Sequence, residues 1–206
     1  MRALSIIMFA ALLAGCNASR NGPSGNPSDA FFSRLSALCG KAFSGHMVSS
    51  EAPDADMVGV PMIMHARECK TTELKIAFHV GKADGSWDRS RTWIVNRTAD
   101  GLRLKHDHRH EDGSPDKVTM YGGETQSAGT AGRQEFVIDQ ESIALFRREG
   151  LDRSVTNVWA VEMTVDPGLD PAFAYELRRS GENRRFFRVE FDLKNPVDTP
   201  PPPWSP

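Results

Sequence analysis

Apolar and polar residues alternate with a period near two through most of the chain, the pattern of strands that bury one face. The exceptions come early. Residues 3–14 form an apolar run broken only by Ser5. Ser28 then precedes a stretch in which Phe31, Leu35 and Leu38 recur at helical spacing until Gly40, which predicts a short helix capped by Ser28. From there the alternation predicts strands at 41–49, 62–67, 73–80, 91–97, 102–110, 117–121, 134–138, 156–165, 173–179 and 185–193. Turn formers at 83–86, 99–101, 112–115 and 180–183 separate several of them. One helix interrupts the series: Asp139 is its expected cap, Ile143, Leu145 and Phe146 its buried face, and Gly150 its end. Short strands without β-α-β alternation predict an all-β, mainly antiparallel domain, a barrel or sandwich of about 8–10 strands. Tyr121-Gly122-Gly123 and the run 128–132 read as bends or loops.

Composition adds limits. The 206 residues carry 25 basic and 27 acidic side chains, a balance that argues against nucleic acid as a partner. The 12-residue apolar run makes about 18 Å of helix, too short to span a membrane and suited to a signal-peptide core. Residues 16–27 are rich in turn formers and read as a flexible tether. Six prolines among residues 196–206 read as an extended, frayed tail, with docking of Trp204 on a partner or on the domain itself as the alternative. The chain thus divides into a targeting segment (1–15), a tether (16–27), one β domain (28–195) and a Pro-rich tail.

The apolar run ends in Leu13-Ala14-Gly15-Cys16, which resembles the lipobox of bacterial lipoproteins. The resemblance implies acylation of Cys16 and a membrane as partner through that anchor. Asn17 stands where an Asp retains enterobacterial lipoproteins in the inner membrane, so the expected address is the outer membrane, facing the periplasm. With Cys16 acylated, Cys39 and Cys69 remain, an even pair in an oxidising compartment. A disulfide closing that loop would contribute about 3–4 kcal/mol; two buried thiols are the alternative. The helix followed by Gly40-Lys41-Ala42-Phe43-Ser44-Gly45 is similar to the opening of a lipocalin, which implies a lipocalin-like barrel. Residues 105–123 resemble segments of exported proteobacterial proteins, a likeness that carries no activity.

The segment 101–111 holds the main chemical candidates. By strand alternation Leu102, Leu104, His106, His108 and His110 share one face, and Arg103, Lys105, Asp107, Arg109 and Glu111 the other. The charged set is expected in water, which sends the imidazoles inward. Neighbouring imidazoles can hold a transition metal or haem iron, with Met120, Glu124 or Glu162 as a further ligand. They can equally contact a small ligand or form a hydrogen-bonded polar rim. Arg178, Arg179, Arg184, Arg185 and Arg188 crowd one predicted hairpin, either as a solvated tip or as a contact for anionic lipid or an envelope protein. No nucleophile elbow, phosphate loop, dinucleotide fingerprint or His-Glu-x-x-His helix is present. Three readings remain: a lipid-anchored binding or accessory module, a metal-dependent enzyme using His106, His108 and His110, and a structural lipoprotein contacting an assembly partner.

Overall fold

The computed structural model describes residues 25–205; the targeting run, Cys16 and most of the tether lie outside the described residues. Ten antiparallel strands close into one up-and-down barrel. They are β1 (Ala42–Met47), β2 (Met62–Cys69), β3 (Glu73–Gly81), β4 (Trp87–Arg97), β5 (Leu102–His108), β6 (Tyr121–Glu124), β7 (Arg133–Ile138), β8 (Val158–Met163), β9 (Ala172–Arg179) and β10 (Arg185–Val197). Each pairs with its sequence neighbours, and β1 pairs with β10 to complete the ring. Closure removes the unpaired edges that an open sheet would expose, which decides between barrel and sandwich.

The alternation read from the sequence sorts inside from outside. Phe43, Met64, Ile76, Phe78, Trp93 and Val95 point inward from β1 to β4 and are buried, as are Phe136, Trp159, Val161, Phe173, Val189 and Phe191 further round. Phe78 stacks on Trp93 at 4.8 Å between ring centroids, and Trp93 on Tyr175 at 4.5 Å. These rings fill the middle of the barrel.

Helix α1 (Pro27–Ser36) closes one end with Phe31, Phe32 and Leu35, all buried. Its cap is Asn26, whose side chain accepts from the Ser28 amide at 3.1 Å. Ser28, the expected cap, lies inside the helix, and its hydroxyl donates to the Ala128 carbonyl at 3.3 Å. Pro27 at the first helical position accounts for the shift, since its fixed φ starts the helix earlier. The Arg97 guanidinium sits 4.3 Å from the Phe32 ring and pairs with Asp29. A Cys39–Cys69 disulfide links the chain just after α1 to the end of β2.

Three local expectations are corrected. Residues 117–121 form no strand: Met120 takes φ 56°, and β6 starts where that strand was to finish. Gly122 and Gly123 belong to β6 rather than to a loop, because a Cβ at either would lie 1.8 Å from the Leu104 carbonyl oxygen or 2.2 Å from that of Val137. The Pro-rich tail is docked against β3 and β4. His79 Nε2 donates to the Pro201 carbonyl at 3.0 Å, Thr92 and Ser205 share a hydrogen bond of 2.8 Å, and the Trp204 amide donates to the Arg89 carbonyl. Helix α2 (Gln140–Arg148), capped by Asp139 as expected, packs beside β6 and buries Leu145 and Phe146.

Candidate functional site

At the end opposite α1, the inward positions stop being apolar. Two residues along each strand, Arg91 follows Trp93, His108 follows His106, Arg179 follows Leu177 and Arg185 follows Phe187. Register places Arg91 opposite His108 and Arg179 opposite Arg185. A turn of 3₁₀ helix, Ala52–Met57, sends Asp54 and Met57 over this mouth from the β1–β2 connection. Two adjoining cavities open here, about 180 and 240 Å³, sharing His108, Tyr121, Tyr175 and Leu177 in their walls. Phe78, Trp93 and Tyr175 floor the smaller cavity, and Phe146, Trp159 and Tyr175 line the larger. A larger hollow, about 500 Å³, lies on the outer wall where β10 bulges beside Ser44 and His46; it shares no residue with the two cavities at the mouth.

His106 is buried beneath the mouth. Its Nδ1 lies 3.1 Å from the Tyr121 carbonyl oxygen and its Nε2 2.7 Å from the Tyr175 hydroxyl. A carbonyl can only accept, so Nδ1 carries the hydrogen, Nε2 accepts, and Tyr175 donates. The ring also stacks on Tyr121 at 4.7 Å. Burial above all, then the adjacent His108, holds the His106 pKa down at about 3. His108, 3.2 Å from the Tyr121 hydroxyl, is held down at about 4 by burial and then by the Arg91 charge. Burial pushes Tyr121 up to about 12 and Tyr175 well above its usual value. All four rings are therefore uncharged at neutral pH.

The third histidine does not join them. β5 ends at His108, and His110 follows in a turn, its side chain 58% exposed and 3.9 Å from Asp116. The strand loses its regular pairing there because Arg109 makes only an isolated bridge to Pro115. The outer face of β5 also departs from expectation. Lys105 is buried under α2, 2.9 Å from Asp139 and 2.8 Å from Glu141, and Asp107 is buried against Arg109 at 2.8 Å. Helix α2 covers Lys105, and Arg109 with Thr119 covers Asp107, where a bare strand would expose both.

For metal or haem iron, His106 has no free nitrogen: one bears hydrogen and the other is occupied by Tyr175. Met120 is exposed, Glu124 pairs with Arg103 at 2.7 Å, and Glu162 with Arg133 at 2.7 Å. Among the described residues no three His, Cys, Asp or Glu side chains gather closely enough to hold an ion.

No protein-family model matches the sequence, and no curated protein does. Among solved structures, a redesigned β-barrel, mFAP1, bound to DFHBI is similar over 77% of this chain and 98% of its own, with 10% identity and a TM-score of 0.33.

Of the five hairpin arginines, Arg184 is exposed just after the 3₁₀ turn Gly181–Asn183, and the other four separate into two groups. Arg178 and Arg188 face outward into a carboxylate network: Arg188 lies 2.7 Å from Glu190 and 3.4 Å from Glu162, and both arginines pair within the Glu135 and Glu176 cluster. Arg185 lines the smaller cavity, and Arg179, its cross-strand neighbour, shares the inward parity without lining either cavity. Asp54 holds Arg185 Nη2 at 2.6 Å, yet Arg185 Nη1, Arg179 Nε and Asp54 Oδ2 are buried with no partner. Each such unmet group costs about 1–3 kcal/mol. Continuing the two-residue period of β9 and β10 would have placed both arginines inward, and the same rule on β4 finds Arg91. Asp54 comes from a connection with no periodic signal.

Proposed function

We propose that this chain is a lipid-anchored envelope protein that binds a small, largely aromatic molecule in the barrel mouth. The observation that carries the reading is the cavity pair that shares His108, Tyr121, Tyr175 and Leu177, with Phe78 and Trp93 lining the smaller cavity and Phe146 and Trp159 the larger. A concave, mostly apolar site with a few aimed polar groups is the usual form of a small-molecule pocket. Anchoring through Cys16 rests on the lipobox resemblance.

The neutral probe N-phenyl-1-naphthylamine, titrated into the full chain, tests the binding half. Saturable binding at one site, lost in Leu177→Trp while thermal stability is retained, is the expected result. Absence of saturable binding to the native chain refutes it. For the anchor, Cys16→Ala is expected to shift the protein from the membrane to the soluble fraction; unchanged fractionation refutes the lipid link.

A further inference from the structure

Arg91 and Arg185 line the mouth, Arg179 stands beside Arg185 on the neighbouring strand, and the pairing of the three is uneven. Arg91 uses Nη1 on Asp88 and on the Ser90 hydroxyl. Arg185 is held by Asp54, with Glu51 at 3.9 Å. Arg179 has no carboxylate partner among the described residues; its one hydrogen bond runs from Nη1 to the Arg153 carbonyl at 2.9 Å. Arg179 and Arg185 are direct cross-strand partners, an arrangement of like charges that is ordinarily unfavourable. Burial first, and then the charges of Arg185 and Arg153, pull the Arg179 pKa down. Two buried N–H groups on adjacent guanidiniums therefore lack acceptors, one on each side of this pair.

We infer that the mouth holds its ligand by an anionic head group, a carboxylate, sulfonate or phosphate accepted by Arg179 and Arg185, with Arg91 across the opening and the apolar body on the aromatic floor. This rests on the reading of the mouth as a binding site and adds the chemical class. The unpaired N–H groups require acceptors, and an anion also relieves the Arg179–Arg185 repulsion. Guanidinium–oxyanion hydrogen bonds are among the strongest available to a protein. Asp54 fixes Arg185 by Nη2 and leaves Nη1 without an acceptor, so the carboxylates already present do not complete the cluster.

The test compares two probes that differ by one sulfonate, 8-anilino-1-naphthalenesulfonate and neutral N-phenyl-1-naphthylamine, on the full chain. The sulfonate is expected to bind about tenfold tighter, with affinity falling as salt rises. Arg179→Met should remove that advantage and leave the neutral probe unchanged. Equal affinity for both probes, insensitive to Arg179→Met, overturns the anionic class while leaving the mouth as a binding site. Failure of both probes to bind overturns both statements. Thermal melting of the variant separates loss of contact from loss of fold, and Arg179→Lys, which keeps the charge, is expected to restore part of the salt-dependent affinity.

Discussion

The two ends of the barrel are built from the same strands and finished in opposite ways. At the α1 end, Phe31, Phe32 and Leu35 enter the barrel, and the polar groups nearby find partners: Ser28 and Gln134 bond the Ala128 carbonyl, and Arg97 lies on Phe32 and pairs with Asp29. At the mouth, Asp54, Asn157, Arg179 and Arg185 each keep a buried polar atom without a partner. The remaining such atoms among the described residues, on His79 and Trp204, lie under the docked tail. A protein interior ordinarily satisfies its polar groups. An end that fails to do so, while its opposite succeeds, is one where stability has yielded to another requirement.

The sharpest way to break the comparison is to damage the plug. Phe31→Ala removes a ring with no exposed surface and is expected to destabilise by about 3–5 kcal/mol through lost burial and a cavity. Chemical denaturation gives that number, and probe affinity at the mouth, measured well below the new melting point, should be unchanged. A loss below about 1 kcal/mol would mean that α1 is not structural.

Acid acts on the mouth and is a second, smaller lever. The folded pKa of His106 lies near 3, below its ordinary value of about 6.5. Between these values the unfolded chain binds the proton and the folded chain does not, so stability falls as pH drops. By pH 4.5 this one residue accounts for about 2–3 kcal/mol. His65, His79 and His108 are shifted the same way, so the contribution is isolated by comparing His106→Asn with the native chain between pH 6.5 and 4.5. The variant should show the shallower slope; parallel slopes would mean that His106 is not held neutral by its surroundings.

What the sequence could and could not disclose follows the same division. Nine of the ten strands are legible as apolar alternation; β6, Tyr121-Gly122-Gly123-Glu124, is not. Glycine has no preference for strands, and only the proximity of the Leu104 and Val137 carbonyls explains Gly122 and Gly123. His106 was placed inward correctly because Leu102 and Leu104 set the parity of β5. His110 was not, since the same parity says nothing about where pairing stops. Lys105 and Asp107 are expected in water because alternation separates two faces but cannot reveal that α2 covers Lys105 or that Arg109 and Thr119 cover Asp107. The five hairpin arginines were read as one cluster. Arg184 is exposed, Arg178 and Arg188 are neutralised by Glu135, Glu162, Glu176 and Glu190, and Arg179 and Arg185 take the other, inward parity. Alternation along 173–179 and 185–193 separates the two parities, but only the register across β7 to β10 brings the carboxylates to the outer pair.

That inner pair gives the smallest expected effect. Arg179→Met removes a hydrogen bond to the Arg153 carbonyl, worth about 1 kcal/mol, and with it a buried N–H that has no acceptor and a like-charge contact with Arg185. The gains and the loss are of similar size, so stability should move by no more than about 0.5–1 kcal/mol, in either direction. Chemical denaturation of Arg179→Met beside Phe31→Ala places the two ends on one scale. Near-neutral stability at Arg179, together with lost sulfonate affinity, is what a residue kept for a ligand predicts. A loss of 2 kcal/mol or more would instead make Arg179 part of the framework, and the contrast between plug and mouth would then reduce to a difference in polarity.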